Sequence, residues 1–368
     1  MLDNGKMSAR QFAVLVTFFS IGTSILVIPT GQAQQAGSDA WISSLIGILF
    51  CVIIVILYIY LSRLFGERSF ICYLENTLGK WIGKSIGLLF VFFCFIGTTT
   101  NLPYIGYFLT TNILTSTPMI VIHIIFFICV IYAVQLGIEV IARTAEIFFP
   151  WFMLLFTIFC IFLMPDINIE KIQPILQTDL ISLIKAGFYL ASYSAMPAIV
   201  FFIFFPNKMN TLKGSQLAFL IGMISGGLII TVVVFLCISV LGPKVTANLS
   251  YPSYSLGKII NVGDIVQRIE VIIAVMWFFS IFFKMAIYFY GCVVGLAEIL
   301  ELKEYRTISW PLAIFVIVFS VIVYPNYIFM NDWDGATWPP YVLTIGIVLP
   351  ILLVLVDRLR AKTSKQSA

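Results

Sequence analysis

The stretch Ile21-Gly22-Thr23-Ser24-Ile25-Leu26-Val27-Ile28-Pro29 lies inside the first apolar segment of the chain and interrupts it. A glycine, two hydroxyl residues and a proline stand where a simple membrane anchor would continue in leucine. Hydrocarbon offers no hydrogen-bond partner to a freed backbone group, so a broken helix at membrane depth must be buried in protein or line a cavity. Glycine and proline also mark plain kinks and close helix contacts. The stretch therefore predicts either a functional site or a kink.

The composition predicts an integral membrane protein. Of the 368 residues, 61% are hydrophobic and only 10% are charged, which excludes a water-soluble core. A membrane span needs about 20 apolar residues. The sequence offers ten, at roughly residues 11–30, 41–62, 84–110, 117–136, 143–164, 182–205, 213–241, 265–298, 308–324 and 338–356. No connection is long enough for a soluble domain, so we expect a single membrane domain over residues 1–368.

The positive charges orient this stack of helices. With the amino terminus in the cytoplasm, most of the 21 lysines and arginines fall in cytoplasmic segments. Arg268 and Lys284 belong to the eighth span, and the outer segments hold Lys171, Lys185, Lys244 and Lys258. The positive-inside rule then places both termini in the cytoplasm. The net charge of +4 reflects these flanks and gives no reason to expect nucleic-acid binding.

The sequence carries no pattern typical of an enzyme or a metal protein. The 7 cysteines are scattered without a C-x-x-C pair, and His123, the only histidine, has no companion ligands. We find no nucleophile-base pair and no phosphate-binding loop. No catalytic residue, metal or cofactor is therefore predicted.

Ten spans divide into two sets of five, over residues 11–164 and 182–356. An odd number of spans per repeat inverts the second set relative to the first, which is the architecture of many secondary transporters. The sixth span should then mirror the broken first span. Its sequence Tyr189-Leu190-Ala191-Ser192-Tyr193-Ser194-Ala195-Met196-Pro197 does contain small, hydroxyl and proline residues. Breaks at corresponding positions predict a binding site near the membrane midplane.

Two other spans carry polar residues at helical spacing: Thr98, Asn101 and Tyr104 in the third, and Ser280, Lys284 and Tyr288 in the eighth. A lysine near the middle of a span normally faces a cavity or a partner. Snorkelling of the ammonium to the interface is the alternative. A cavity-facing lysine could act as a fixed cation or as a proton-releasing switch.

The predicted ligand site combines the two breaks with these two helix faces. Its residues are Gly22, Thr23, Ser24, Thr98, Asn101, Ser194, Pro197, Lys284 and Tyr288. Backbone N–H groups freed at a half-helix N-terminus suit a carboxylate.

Several motifs together resemble one family, the B subunits of the spore germination receptors. They are Ser8-Ala9-Arg10-Gln11 before the broken run, Leu78-Gly79-Lys80-Trp81-Ile82-Gly83, and the outer stretch from Tyr251-Pro252 through Arg268-Ile269-Glu270 into Trp277. The resemblance covers essentially the full chain. This family is similar in turn to the amino acid, polyamine and organocation transporters, which have the five-plus-five inverted fold.

The resemblance implies an integral protein of the inner membrane of a bacterial endospore. It implies a membrane-anchored A subunit and a lipoprotein C subunit as partners, and a small nutrient, such as an amino acid, as the ligand that starts germination. Two alternatives stay open. One is a secondary transporter of an amino acid or amine, and the other is an ion- or water-conducting subunit.

Overall fold

A computed structural model describes residues 5–66, 68–259 and 270–366. These residues contain α-helices, short 3-10 and π-helical segments, and one isolated bridge between Met7 and Met209. The α-helices are α1 (Ala9–Ile21), α2 (Ser24–Ala36), α3 (Ala40–Phe65), α4 (Phe70–Leu78), α5 (Lys80–Asn112), α6 (Met119–Leu136), α7 (Ile138–Leu163), α8 (Leu180–Ser194), α9 (Leu212–Leu236), α10 (Pro243–Asn248), α11 (Pro252–Ile259), α12 (Glu270–Ile299), α13 (Arg306–Ile322), α14 (Tyr327–Asp332), α15 (Trp338–Leu343) and α16 (Leu349–Gln366).

The all-helical membrane fold is confirmed. Within the described ranges, 8 helical stretches are long and apolar enough to cross a membrane. They are Ser24–Phe65, Lys80–Asn112, Met119–Leu136, Ile138–Asp166, Leu180–Ile203, Leu212–Leu241, Glu270–Ile299 and Tyr327–Arg360. Helices α1 and α13 are shorter and apolar. Residues 265–269 of the predicted eighth span, with Arg268, lie outside the described residues.

The first helix is broken, but over a shorter stretch than the sequence suggested. Helix α1 ends at Ile21 and α2 begins at Ser24, so the break consists of Gly22 and Thr23. Pro29 lies inside α2 and does not end it. Membrane helices tolerate proline because neighbouring groups satisfy the backbone carbonyl that the missing N–H leaves free.

The sixth predicted span changes its helix type at the expected place. Helix α8 ends at Ser194, and the chain continues after Ala195 as a 3-10 helix over Met196–Ile203. Pro197 lies in the first turn of the 3-10 helix, where its missing N–H removes no internal hydrogen bond.

Both breaks lie at the centre of the bundle. Helix α1 packs along α9 and also contacts α12, α2 packs on α8, and α12 packs on α5. Helix α12 therefore packs both on the broken first helix and on α5, the other helix that carries a predicted polar face.

The motif at the start of α1 is a capping box that fixes the helix end. The Ser8 Oγ accepts a hydrogen bond from the Gln11 N–H at 3.2 Å, and the Gln11 Oε1 accepts one from the Ser8 N–H at 2.9 Å. The Gln11 amide also donates to Glu146 of α7 at 3.1 Å. Just before the motif, the Met7 N–H donates to the Lys208 carbonyl at 2.9 Å. The start of α1 is thereby tied to α7 and to the loop after the 3-10 helix.

The glycines of the second motif allow α4 and α5 to pack closely. Gly79 joins the two helices with a φ of +87°. Gly83 lies against the backbone of Glu75, where an added Cβ would come within 2.5 Å of the Glu75 Cα. A larger residue at Gly83 would push α4 away from α5.

Candidate functional site

The two helix breaks meet through three serines. The Ser24 Oγ at the start of α2 lies 3.3 Å from the Ser194 Oγ at the end of α8. The Ser194 hydroxyl also donates to the Ser20 carbonyl of α1 at 3.1 Å. All three serines are fully buried. The structure thus brings together two sites of helix interruption that are 170 residues apart in sequence.

Helix α5 holds the first break through Asn101. The Thr23 hydroxyl donates to the Asn101 Oδ1 at 2.5 Å, and the Asn101 amide donates to the Gly97 carbonyl at 2.5 Å. The second bond orients the Asn101 side chain, because it fixes which end of the amide faces Thr23. Asn101 is therefore placed to hold the short segment between α1 and α2.

Lys284 is buried inside the protein and does not reach the membrane interface. Its residue is 2% exposed, and its ammonium donates to the Tyr193 carbonyl at 2.9 Å. The ammonium also lies 5.3 Å from the centre of the Phe19 ring, within cation–π range. An added Cβ at Gly22 would overlap the Lys284 side chain. Lys284 consequently contacts the elements at both breaks.

The other two residues of the predicted α12 face point the same way. The Ser280 hydroxyl donates to the Trp277 carbonyl at 2.9 Å and lies 3.5 Å from the Gly22 carbonyl. The Tyr288 ring packs on Phe19 with a centroid distance of 5.2 Å. The Tyr288 hydroxyl is buried and forms no hydrogen bond. It is a free polar group beside the breaks.

In three of the predicted site residues, the polar group either already forms a hydrogen bond within the protein or is absent. The Gly22 N–H already donates to the Phe18 carbonyl at 2.8 Å, so it is not one of the freed donors. The Thr98 hydroxyl donates to the Cys94 carbonyl of its own helix at 2.8 Å. Pro197 is buried and has no N–H to offer. Gly22 nevertheless lies against Lys284, where an added Cβ would overlap the lysine Cδ.

The structure also reveals residues that sequence analysis missed. Tyr58 of α3 has its hydroxyl 2.7 Å from the Met196 carbonyl and 2.7 Å from the Gly346 carbonyl, and so links the sixth-span break to the last helical stretch. Asp334 is buried and accepts a hydrogen bond from the Tyr104 hydroxyl. Asp334 falls in the connection between the predicted spans 308–324 and 338–356, so it was not among the predicted site residues. A lone acid between Trp333 and Trp338 was the available signal.

A cluster of aromatic rings lies between the breaks and a cavity that borders the carboxyl-terminal end of α12. We call it the phenylalanine cluster, and its members are Phe12, Phe19, Phe201, Phe204, Phe205 and Phe219. Phe19 packs on Phe201 at 5.0 Å, and Phe201 packs on Phe204 at 5.5 Å. Phe204 in turn contacts Tyr290, which lines the cavity.

The cavity has a volume of about 1150 Å³. It is lined by the residues before α1, by α4, by the loop after the 3-10 helix and by the end of α12. Its charged lining residues are Lys6, Glu75, Lys208, Glu298, Glu301 and Lys303. Most of these lie in segments that the charge distribution assigns to the cytoplasm. Within the described residues, no group of three or more His, Cys, Asp or Glu side chains is arranged to hold a metal.

The chain is similar in sequence to spore germination proteins. The profile of a family described as "Spore germination protein" matches residues 6–328. Spore germination protein KB of Bacillus subtilis (strain 168) is 26% identical over 371 residues, covering 100% of this chain and 98% of the relative. Spore germination protein A2 of the same organism is 27% identical over 383 residues, covering 97% of both chains.

Two solved transporter structures share the fold. Mhp1, a nucleobase-cation-symport-1 family transporter in a closed conformation with bromovinylhydantoin bound, aligns with a TM-score of 0.67 at 11% identity. The alignment covers 92% of this chain and 76% of Mhp1. MhsT in complex with L-phenylalanine aligns with a TM-score of 0.60 at 13% identity, covering 96% of this chain and 99% of MhsT. At these identities the likeness concerns the fold.

Proposed function

This chain belongs to the spore germination protein family, and from that premise we propose that it is the nutrient-binding membrane subunit of a germination receptor. The juxtaposition of the two helix breaks with the Lys284 ammonium carries the proposal. A small nutrient, such as an amino acid, binds there and shifts the balance between two conformations of the bundle. It can do so only by binding one conformation more tightly than the other.

We propose a transporter-like architecture of ten membrane helices for this function. Residues 11–164 and 182–356 form two inverted five-helix repeats, and α1–α2 and α8 with its 3-10 extension are their broken first helices. The fold shared with Mhp1 and MhsT supports this arrangement. In inverted repeats the discontinuous helices form the binding site near the bilayer midplane.

The proposed site offers complementary groups to a zwitterionic ligand. The first turn of α2, which begins at Ser24, presents backbone N–H donors, and the protonated form of Lys284 adds a positive charge. Both favour a carboxylate. The Thr23 and Ser194 hydroxyls and the free Tyr288 hydroxyl supply further hydrogen-bonding groups. Asn101 and Pro197 shape the wall on either side, and Thr98 contributes bulk rather than a polar contact.

Signalling then passes to partner chains, because residues 5–66, 68–259 and 270–366 form helices joined by short connections. We propose that these are the receptor A subunit and the lipoprotein C subunit, in the inner membrane of the endospore with both termini in the cytoplasm. The hydrogen bond between Met7 and Lys208 gives one route for the signal. It joins the start of α1 to the loop after the 3-10 helix, so movement at either break changes the cytoplasmic surface.

Exchange of this chain between receptors tests the proposed function. We expect nutrient specificity to follow this chain when it replaces the corresponding subunit of a receptor with another nutrient specificity. The measurement is germination of spores against a panel of single nutrients, at matched protein levels. Specificity that stays with the A or C subunit would contradict the proposal.

The cavity at the end of α12, which we call the cytoplasmic-side cavity, supports the alternative of a secondary transporter. A pathway through the protein would have to cross the phenylalanine cluster, which is packed in this structure. We therefore expect reconstituted vesicles of the wild-type chain to take up no labelled nutrient. Phe201→Ala, which removes the ring at the centre of the cluster, should allow measurable uptake. Sustained uptake by the wild-type chain would favour the transporter instead.

A further inference from the structure

A second buried polar group lies away from the helix breaks, around Asp334. This residue is 5% exposed and belongs to a π-helical turn, Trp333–Thr337, in the last helical stretch. Such turns are rare within helices and frequently mark functional sites. Neither the proposed ligand contacts nor the cytoplasmic-side cavity includes Asp334.

Asp334 connects three helical stretches. No ion pair of the described residues includes its carboxylate. Tyr104 of α5 donates its hydroxyl hydrogen bond to the Asp334 carboxylate, and the Tyr193 hydroxyl of α8 lies 3.4 Å from the Asp334 carbonyl. None of the ion pairs Arg10–Glu146, Lys84–Glu301 and Arg143–Glu139 involves Asp334. A buried carboxylate without a cation is strongly disfavoured, so Asp334 must either hold a proton or lie beside a bound cation. A bound cation would remove that penalty.

Two more buried hydroxyls face the same region. The Tyr324 ring lies 6.3 Å from the ring of Trp333, the residue before Asp334, and the Tyr251 ring lies 6.2 Å from the ring of Tyr327 in the same helical stretch. Tyr251 is 8% exposed and Tyr324 is 4% exposed. Within the described residues, both hydroxyl oxygens are buried and have no hydrogen-bond partner. These oxygens have lone pairs to offer a ligand.

We propose that Asp334 and the surrounding tyrosine hydroxyls form a binding site for a small monovalent cation, either an alkali ion or an ammonium group. Carboxylate and hydroxyl oxygens are the ligands that hard cations prefer. A single carboxylate matches a single positive charge, whereas protein sites for divalent ions usually combine several carboxylates. The site is distinct from Lys284, which contacts the backbone carbonyl of Tyr193 rather than its hydroxyl end. The proposal does not depend on the identity of the nutrient.

The test measures thermal unfolding of the full purified chain in detergent. Chlorides of sodium, potassium, ammonium and the bulky N-methylglucamine are compared at one ionic strength, so that screening is equal. We expect the wild-type Tm to be higher by about 3 °C or more in at least one small cation. Asp334→Asn should abolish that difference. Asp332→Asn, which changes an exposed carboxylate in the same stretch, should retain it.

The four salts distinguish an alkali ion from an ammonium group as the bound cation. A shift in sodium or potassium alone assigns an alkali-ion site, and a shift in ammonium alone assigns an amine site. A permanently protonated Asp334 would bind no cation and would give equal Tm values in all four salts. That result would overturn the proposal. A shift that survives Asp334→Asn would also overturn it.

A second variant keeps the proposal testable if Asp334→Asn does not accumulate. Tyr104→Phe keeps the carboxylate and removes one hydroxyl oxygen. We expect the same cation to stabilise this variant, with a half-maximal concentration about tenfold higher. An unchanged concentration dependence would contradict the assigned role of the tyrosine hydroxyls.

Discussion

Lys284→Met should lose most of the response to nutrient, while Lys284→Arg should retain part of it. Methionine keeps much of the length and apolar contact of the lysine stem but lacks the ammonium that donates to the Tyr193 carbonyl. Arginine keeps the charge on a larger, planar head. Loss of a charged hydrogen-bond donor should raise the nutrient concentration for half-maximal germination by about tenfold or more.

The measurement is the germination rate of spores over a range of nutrient concentrations, at matched amounts of protein in the membrane. Lys185→Met is the matched control, because Lys185 is an exposed lysine of α8. This variant should respond normally. Failure of both Lys284 variants, together with a wild-type response that changes with pH, would instead indicate that Lys284 must release a proton. Near-normal germination from both variants would remove Lys284 from the site.

Gly22→Val should eliminate the nutrient response while leaving the protein in the membrane. A Cβ at Gly22 would overlap the Lys284 side chain, and it would lie 3.1 Å from the Phe19 carbonyl. The lysine can move only by giving up its contacts at the breaks. Overpacking of this kind typically costs about 1–3 kcal/mol of stability. The valine side chain would also fill the space beside the first turn of α2.

Two further variants separate the steric effect from a general loss of folding. Gly335→Val is the control, because an added Cβ at Gly335 meets no atom within 4 Å. Gly22→Ala combined with Lys284→Ala should recover the Tm that Gly22→Ala loses, since the overlap is then relieved. It should not recover the nutrient response. A normal response of Gly22→Val at unchanged nutrient concentration would exclude Gly22 from the site.

The class of fold followed from composition and hydropathy alone. Burial in a lipid bilayer demands long apolar segments and internally satisfied backbone groups, and both are local properties of the sequence. The helix break near Gly22 was predicted from the glycine, hydroxyl and proline residues of its segment, and the interruption after Ser194 from the expected symmetry of two five-span repeats. The start of α1 at Ala9 is also a local feature, set by the capping box of Ser8 and Gln11, although the first span was predicted to begin near residue 11.

The contacts between distant residues were decided by the tertiary structure. Helical spacing placed Ser280, Lys284 and Tyr288 on one face of α12, but only packing shows which helix that face meets. The same limit applies to Thr98, whose hydroxyl bonds to its own helix instead of to a ligand. A polar residue in a span must find some partner, and the sequence does not say which.

Asp334 is the clearest case of this division. The predicted spans 308–324 and 338–356 leave Asp334 in the connection between them. An exposed carboxylate in such a connection would need no partner. The chain instead continues helically from Tyr327 to Arg360 and buries Asp334 against Tyr104. Hydropathy thus determined the apolar helices and the approximate positions of their breaks, because these depend on neighbours in sequence. Which polar groups lie together in the interior was decided only by folding, because Tyr104 and Asp334 are 230 residues apart.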